Sequence, residues 1–263
     1  MAPLSRSGWK PTPFDSRDFT FDAETLEVEP NPSRRRVEIG HPIDPRSQGE
    51  VPCCVSIAIA SAMEALDAFQ APFLELSPLF NYFTARNDPR RLGFLDIREG
   101  FKAATNEGIC RLDLHDVTFD RAGAETEPSE EARADALQQR LKPIDPITFQ
   151  TSYWRLPDSG RVEAWRSALA EGLPIVTGLW VTGGYWRLRD ELDVYPDDLG
   201  DPARDGHAVI VLGYDDDREG GAFLIKDSRG SNFGDAGHWW LPYRLAATRL
   251  VAEGWAVTRI TYN

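Results

Sequence analysis

Residues 48–66 read QGEVPCCVSIAIASAMEAL, and two of the chain's three cysteines stand side by side in that stretch. From Val55 to Phe69 almost every position is apolar or alanine, with Pro52 just ahead and Gln70, Ala71 and Pro72 behind. The pattern predicts a helix of about four turns, buried nearly all round and headed by Cys54. A helix N-terminus carries about half a positive charge on its unpaired N–H groups, which lowers the pKa of a thiol placed there. Free cysteines commonly serve as small buried hydrophobes, so a nucleophile at Cys54 requires a base from elsewhere in the chain.

Composition bounds the remaining possibilities. With 263 residues, 41% hydrophobic and 11% aromatic, the chain can bury a substantial core as one domain or two intimate lobes. A formal charge of -13 argues against nucleic acid as a partner, and Arg34, Arg35 and Arg36 read as a solvated loop. The N-terminal stretch lacks the apolar core of a secretory signal, and no run approaches the ~20 apolar residues of a membrane span. The expectation is a soluble, cytoplasmic chain without membrane partners. Three cysteines cannot all pair internally, and neither CxxC nor HExxH occurs. A disulfide framework or structural zinc site is therefore not expected, and adjacent cysteines such as Cys53 and Cys54 make poor joint zinc ligands with His207.

Residues 1–47, rich in Pro and Arg, read as an extended arm packing on a body formed by 48–263. The helical portion of the body spans about 48–120. In LSPLFNYFTAR, Ser77 caps a helix with Pro78 at its first position, and in DIREGFKAATNEG, Asp96 and Gly108 mark a third helix. The charged stretch at about 121–145 reads as an exposed loop and helix linking the halves. From about 146 to 263 strands dominate. SGRVEAWRSALAEG reads as a helix capped by Ser159 and closed by Gly172, followed by an inner strand in LPIVTGLWV. HAVIVLGYDDDREGGAFLIKDSRG reads as a hairpin, and HWWLPY and WAVTRITYN as further strands. A helical half and an antiparallel half make an α+β fold with a cleft between them.

Of His41, His115, His207 and His238, only His207 opens a strand immediately after a glycine, where its ring can reach a cleft. If the hairpin folds about Arg218 and Glu219, residue 210 pairs near 227, which puts His207 and Asp227 within about one diagonal of each other. Asp227 can then orient the imidazole and stabilise its cation. Gln48 can offer its side-chain N–H beside the backbone N–H of Cys54 as an oxyanion hole.

A glutamine and glycine, a cysteine six residues after the glutamine, GHAVIVLGY at 206–214 and LIKDSRGSNFGDAGHWWLPY at 224–243 resemble, in order and spacing, the papain-like cysteine peptidases. GWKPTPFDSRDF at 8–19 is similar to the openings of bacterial members. The resemblance implies a two-lobed papain-like fold with Cys54 as nucleophile, His207 as general base and acid, and Gln48 as oxyanion donor. Asp227 stands where the family usually has an asparagine, Arg229 and Phe233 where it has tryptophans, and Val55 where eukaryotic members carry an aromatic residue. Arg229 is placed to pair with Asp227 and draw it from the imidazole. Cys53 and Cys110 read as structural thiols, and Gly183, Gly184, Tyr185 and Trp186 as part of a loop overhanging the cleft.

The implied chemistry is acyl transfer from a peptide or protein substrate to water, needing no metal or organic cofactor. Two alternatives keep the same residues: transfer of the acyl group to an amine, and a catalytically silent relative that binds peptides in the cleft. Control falls to substrate choice, a partner or the arm. Neither specificity nor oligomeric state is expressed in the motifs.

Overall fold

In a computed structural model, residues 8–16, 18, 34–41, 43–67, 74–141, 152–189, 192–201 and 205–258 are described. The helix headed by the paired cysteines is α1 (Cys54–Asp67), and every residue from Cys54 to Ala65 is buried. Burial on all sides follows from its alanines and short apolar residues, which let neighbours approach from several directions. One of those buried residues is Glu64. Its carboxylate is held by a bidentate Arg46 pair at 2.7 and 2.9 Å and by the Leu76 N–H at 2.9 Å, so the charge is matched rather than left bare.

Around α1 pack α2 (Pro78–Ala85) and α3 (Ile97–Asn106). Ser77 caps α2 by accepting from the Phe80 N–H, and Pro78 holds its first position. At α3, Asp96 and Glu99 form a reciprocal capping box. The charged stretch read as an exposed loop and helix has most of its described residues exposed and docks through a few small side chains. It forms α4 (Arg121–Glu125) and α5 (Glu130–Ala136). Ala124 is buried beside α2, while Ala132 and Ala136 meet Phe80 and Cys110 in a small second core. Two alanines four apart give a helix a narrow apolar stripe that charged neighbours hide in the sequence. The expected end of the linker at 142–145, and the end of α1 at Phe69, lie outside the described residues.

Among the described residues the strands form a seven-stranded sheet of antiparallel pairs. Its strands are β1 (Arg36–Glu38), β2 (Tyr153–Arg155), β3 (Ile175–Val181), β4 (Asp205–Asp215), β5 (Ala222–Lys226), β6 (His238–Pro242) and β7 (Val251–Val257). They run in the order β2-β7-β3-β4-β5-β6, and β1, from the N-terminal region, adds onto the far part of β4. Before β3 lies α6 (Arg161–Ala170), whose cap is Gly160 at φ 65° rather than the expected Ser159. In the β4–β5 hairpin Ile210 faces Lys226, one residue short of the expected partner, because the register shifts between Val211 and Gly213. The short helices α7 (Gly183–Trp186) and α8 (Tyr243–Ala246) follow β3 and β6. β4 packs on α1, which brings His207 over the head of that helix. Among the described residues no helix is long and apolar enough to cross a membrane.

Candidate active site

Cys54 at the head of α1, His207 on β4 and Asp227 just past β5 are brought together in the interior. Cys54 and His207 are both 0% exposed. His207 Nε2 lies 2.9 Å from Asp227 Oδ1, while Nδ1 is buried without a formed hydrogen bond. The Asp227 carboxylate also accepts from the Ser228 N–H at 2.8 Å, the Trp239 indole N–H at 2.8 Å and the Tyr185 hydroxyl at 3.0 Å. Burial works against its charge, yet the His207 cation, Arg229 and these donors hold its pKa below the usual carboxylate value.

The same balance sets the other two groups. Burial disfavours the imidazolium, but the charges of Asp227 and Cys54 overcome it and push His207 up to about 9. Burial likewise opposes a thiolate at Cys54, and the His207 cation with two backbone N–H donors outweighs it, lowering the pKa. Those donors are Ala208 at 3.4 Å and Gly8 at 3.2 Å from Sγ. The neighbouring Cys53 goes the other way, pushed well up by burial and by the negative charge of Cys54. The adjacent thiols are thus shifted in opposite directions, Cys54 toward the thiolate and Cys53 toward the neutral thiol.

Gln48 is nearly fully buried and tied to the residue after Asp227. Its backbone N–H donates to the Ser228 carbonyl at 2.9 Å, and its Oε1 accepts from the Ser228 hydroxyl at 2.8 Å. Nε2 donates one hydrogen to the Val51 carbonyl at 2.9 Å, which fixes the amide plane ahead of α1. Arg229 does not draw Asp227 away from the imidazole: its Nε–H points to the Tyr185 hydroxyl at 3.3 Å. The segment expected to overhang the cleft therefore contributes a core residue, since Tyr185 on α7 is 0% exposed. Neither Tyr185, Trp239 nor Ser228 was singled out for the site, although Ser228 and Trp239 lie inside the third motif and Tyr185 in the segment read as overhanging the cleft.

Sequence reasoning also missed what covers the sulfur. Residues 8–12 lie across it. Gly8 passes so close to Pro52 that an added Cβ would fall 1.9 Å from its carbonyl oxygen, which is why only glycine fits. Gly8 and Lys10 bracket Leu95 with two backbone hydrogen bonds of 2.9 and 3.0 Å in a parallel bridge. Trp9, 1% exposed, lies over Gly178 and Gly206, where any Cβ would come within 2.3 Å of its ring. Its indole N–H reaches Glu253 at 3.0 Å, and the Thr12 N–H and hydroxyl reach the same oxygen at 3.0 and 2.9 Å. The second oxygen of Glu253 accepts from Trp255 at 2.8 Å. Four donors converge on one buried carboxylate, and the three from Trp9 and Thr12 fasten the arm to β7.

A second polar cluster lies on the other side of β5 from Asp227. Lys226 is 2.7 Å from His41, which also contacts Glu64 at 3.5 Å, and burial pushes the lysine down to about 7. Among the described residues no group of His, Cys, Asp and Glu could hold a metal ion.

The chain is 26% identical over 275 residues to an uncharacterised peptidase C1-like protein of Acanthamoeba polyphaga mimivirus, covering 94% of this chain and 85% of that protein. Its fold matches that of xylellain, a cysteine protease from Xylella fastidiosa, with a TM-score of 0.82 at 23% identity over 98% of this chain and 97% of the other. A cysteine protease of Carica candamarcensis matches with a TM-score of 0.61 at 17% identity over 86% and 99% of the two chains. No family model matches the sequence.

Proposed function

For a chain related over nearly its whole length to the papain-like (C1) cysteine peptidases, with their α+β fold, we propose a cysteine peptidase that hydrolyses peptide bonds through an acyl-enzyme on Cys54. The observation that carries the proposal is the buried Cys54–His207–Asp227 arrangement, in which the thiol is lowered and the imidazole raised to about 9, favouring a thiolate–imidazolium pair at neutral pH. In the reaction the Cys54 sulfur attacks the scissile carbonyl carbon. The remaining Gln48 amide hydrogen and the Cys54 backbone N–H, at the positive end of α1, stabilise the oxyanion. His207 then gives its proton to the leaving amine, and afterwards takes one from the water that releases the acid.

Residues 8–12 must leave before a substrate can bind. The arm presents the Gly8 N–H to Sγ, so in this arrangement a donor stands where a scissile carbonyl carbon is needed, and the arm blocks the site without offering itself for cleavage. A substrate side chain that takes the place of Trp9 ends at Glu253, which suits a cationic or N–H-donating residue. The proposal is tested by incubating the protein with an epoxysuccinyl thiol reagent and with casein, reading intact mass and peptide release. Single-site labelling and casein hydrolysis, both lost in Cys54→Ala, support it. Labelling at Cys54 without hydrolysis, once the arm is displaced, favours a peptide-binding relative instead.

A further inference from the structure

The hydroxyl of Tyr185 has two partners of opposite kind. It stands 3.0 Å from Asp227 Oδ2 and 3.2 Å from Oδ1, while its oxygen lies 3.3 Å from the Arg229 Nε. The chemistry of the three groups fixes the proton positions. A guanidinium only donates and a carboxylate only accepts, so the phenol must accept from Arg229 and donate to Asp227. A continuous chain results: Arg229 N–H to Tyr185 O–H to Asp227 to His207. Hydrogen bonds in such a chain polarise one another, and each is stronger for being buried.

The ring of Tyr185 has little freedom to leave this position. It packs edge-on to His207 with centroids 5.6 Å apart, and touches Phe233 at 5.0 Å, Trp186 at 5.1 Å and Trp239 at 6.2 Å. The Arg229 guanidinium is itself braced over Trp186, 5.1 Å from the ring centroid. His207, Phe233, Trp186 and Trp239 thus hold the ring, while Asp227 and Arg229 hold its hydroxyl.

We propose that Tyr185 is a positioning residue that holds Asp227 on His207, and that Arg229 acts through it to offset part of the carboxylate's charge. The inference rests on the peptidase reading above. A buried carboxylate left to itself would bind the imidazole proton tightly, and a His207 that holds its proton too firmly is a poor acid toward the leaving amine. The cation one hydrogen bond behind the phenol draws charge out of Asp227, so that the imidazolium remains able to release its proton. Burial and the negative charge of Asp227 hold the Tyr185 phenol well above its ordinary pKa, which keeps the donor intact through neutral and mildly alkaline pH. Among the described residues, the titratable and charged groups facing His207 and Asp227 are Cys54 from α1, Tyr185 from α7 and Arg229 from the segment after β5. Lys226, next in the chain, is turned to His41 and the Ile43 carbonyl on the opposite side.

The test compares Arg229→Met, Arg229→Lys, Tyr185→Phe and the Tyr185→Phe/Arg229→Met pair. Two profiles are read from pH 5 to 10: kcat/KM for casein peptides, and the rate of Cys54 alkylation by iodoacetamide. The second reports the imidazole ionisation without requiring turnover, so it stands even if no hydrolysis is found and the peptidase reading fails. Arg229→Met is expected to move the alkaline limb up by at least half a pH unit, about threefold in the acid constant, with kcat several-fold lower and KM unchanged. Arg229→Lys, which keeps the charge, is expected to restore the limb toward its wild-type position. Tyr185→Phe should raise the limb as well, and in its presence Arg229→Met should add clearly less than it does alone, because the hydrogen-bonded link is gone and only the through-space charge is left. An unchanged or lowered limb in Arg229→Met overturns the proposal, as does simple additivity in the double variant. If Arg229→Met does not fold, Tyr185→Phe, which removes a single oxygen, decides by the direction of its own limb.

Discussion

Replacing Trp9 with alanine should unlock the site. The indole is 1% exposed, lies over Gly178 and Gly206, packs edge-on to Trp180 at 5.3 Å and donates to Glu253 at 3.0 Å. Truncating a buried tryptophan costs about 3–5 kcal/mol. When the arm is withdrawn Trp9 is in solvent, so this cost falls almost wholly on the closed form. At about 1.4 kcal/mol per factor of ten, even the lower figure multiplies the open-to-closed ratio by about 100. The assay is the second-order rate of Cys54 alkylation by iodoacetamide, followed by intact mass, with Cys54→Ala as the blank. The rate in Trp9→Ala should rise about a hundredfold, or up to the ceiling set by a fully open site. Trp9→Phe keeps most of the packing and loses the N–H to a buried carboxylate, so it should fall between, about tenfold above wild type. Equal rates in wild type and Trp9→Ala, at values well below that of a free thiol, would sink the idea that residues 8–12 govern access.

Gly178→Ala should act in the same direction as Trp9→Ala, since its methyl would come 2.3 Å from the Trp9 ring, and alkylation of Cys54 should accelerate without loss of the fold. Gln48→Ala is expected to lower kcat for peptide hydrolysis by about 10² to 10³, the usual worth of one oxyanion donor, with iodoacetamide labelling of Cys54 far less affected. The stability of the wild type, followed by thermal unfolding between pH 6.5 and 9, should depend on pH less steeply than His207 alone would make it. His207, raised to about 9, contributes stability that is lost as pH rises, while Cys54, lowered from the value of a free thiol, contributes stability that is gained as pH rises, so the two oppose each other. In Cys54→Ala the share of the His207 shift that comes from Cys54 is lost, and the raising by Asp227 is left, so stability should fall above about pH 6.5, the unfolded pKa, over a narrower window, and a flat curve there would mean that Asp227 alone does not raise His207.

Cys54, His207 and Asp227 were readable because each sits in a short motif whose local geometry decides its direction: a helix head, the start of an inner strand, and the end of its hairpin partner. The pairing of His207 with Asp227 survived an error of one residue in the expected register. The shift between Val211 and Gly213 displaces the strand, but both residues sit at the open end of the hairpin on the same side. The groups that complete the site were not readable, because they arrive through contacts remote in the chain. Tyr185 reaches Asp227 across 42 residues and Trp9 reaches Glu253 across 244, and no periodicity or spacing rule links such pairs. The docking of α4 and α5 escaped for a different reason, since alanine adds too little hydrophobicity to stand out among charged neighbours. The α6 start was misplaced by one residue because a glycine in the left-handed region holds the cap position, with no side-chain hydrogen bond there.

The arm does more than cover the sulfur, because the hydrogen bond from Gly8 favours the charged form of Cys54. Coupling of this kind is reciprocal: if the closed arm stabilises the thiolate, the thiolate stabilises the closed arm. Two consequences follow. On opening, Cys54 keeps the Ala208 N–H but loses the Gly8 donor, so its pKa should rise, and the uncovered sulfur becomes a stronger nucleophile for as long as it stays ionised beside His207. In acid, as Cys54 takes up a proton, Gly8 loses an anionic acceptor and the arm is held less tightly. A charge-assisted hydrogen bond of about 1.5–3 kcal/mol corresponds to roughly a tenfold to hundredfold change in the closed-to-open ratio. Limited proteolysis of the arm by a protease active in acid, compared between wild type and Cys54→Ser across pH 3 to 7, measures it directly. Cleavage in the wild type should accelerate as pH falls, whereas Cys54→Ser, uncharged throughout, should be cut faster at neutral pH and show little of that dependence. Parallel curves for the two proteins would mean that the arm is fastened by Trp9 and Glu253 alone, and that the charge on the nucleophile has no part in keeping the site shut.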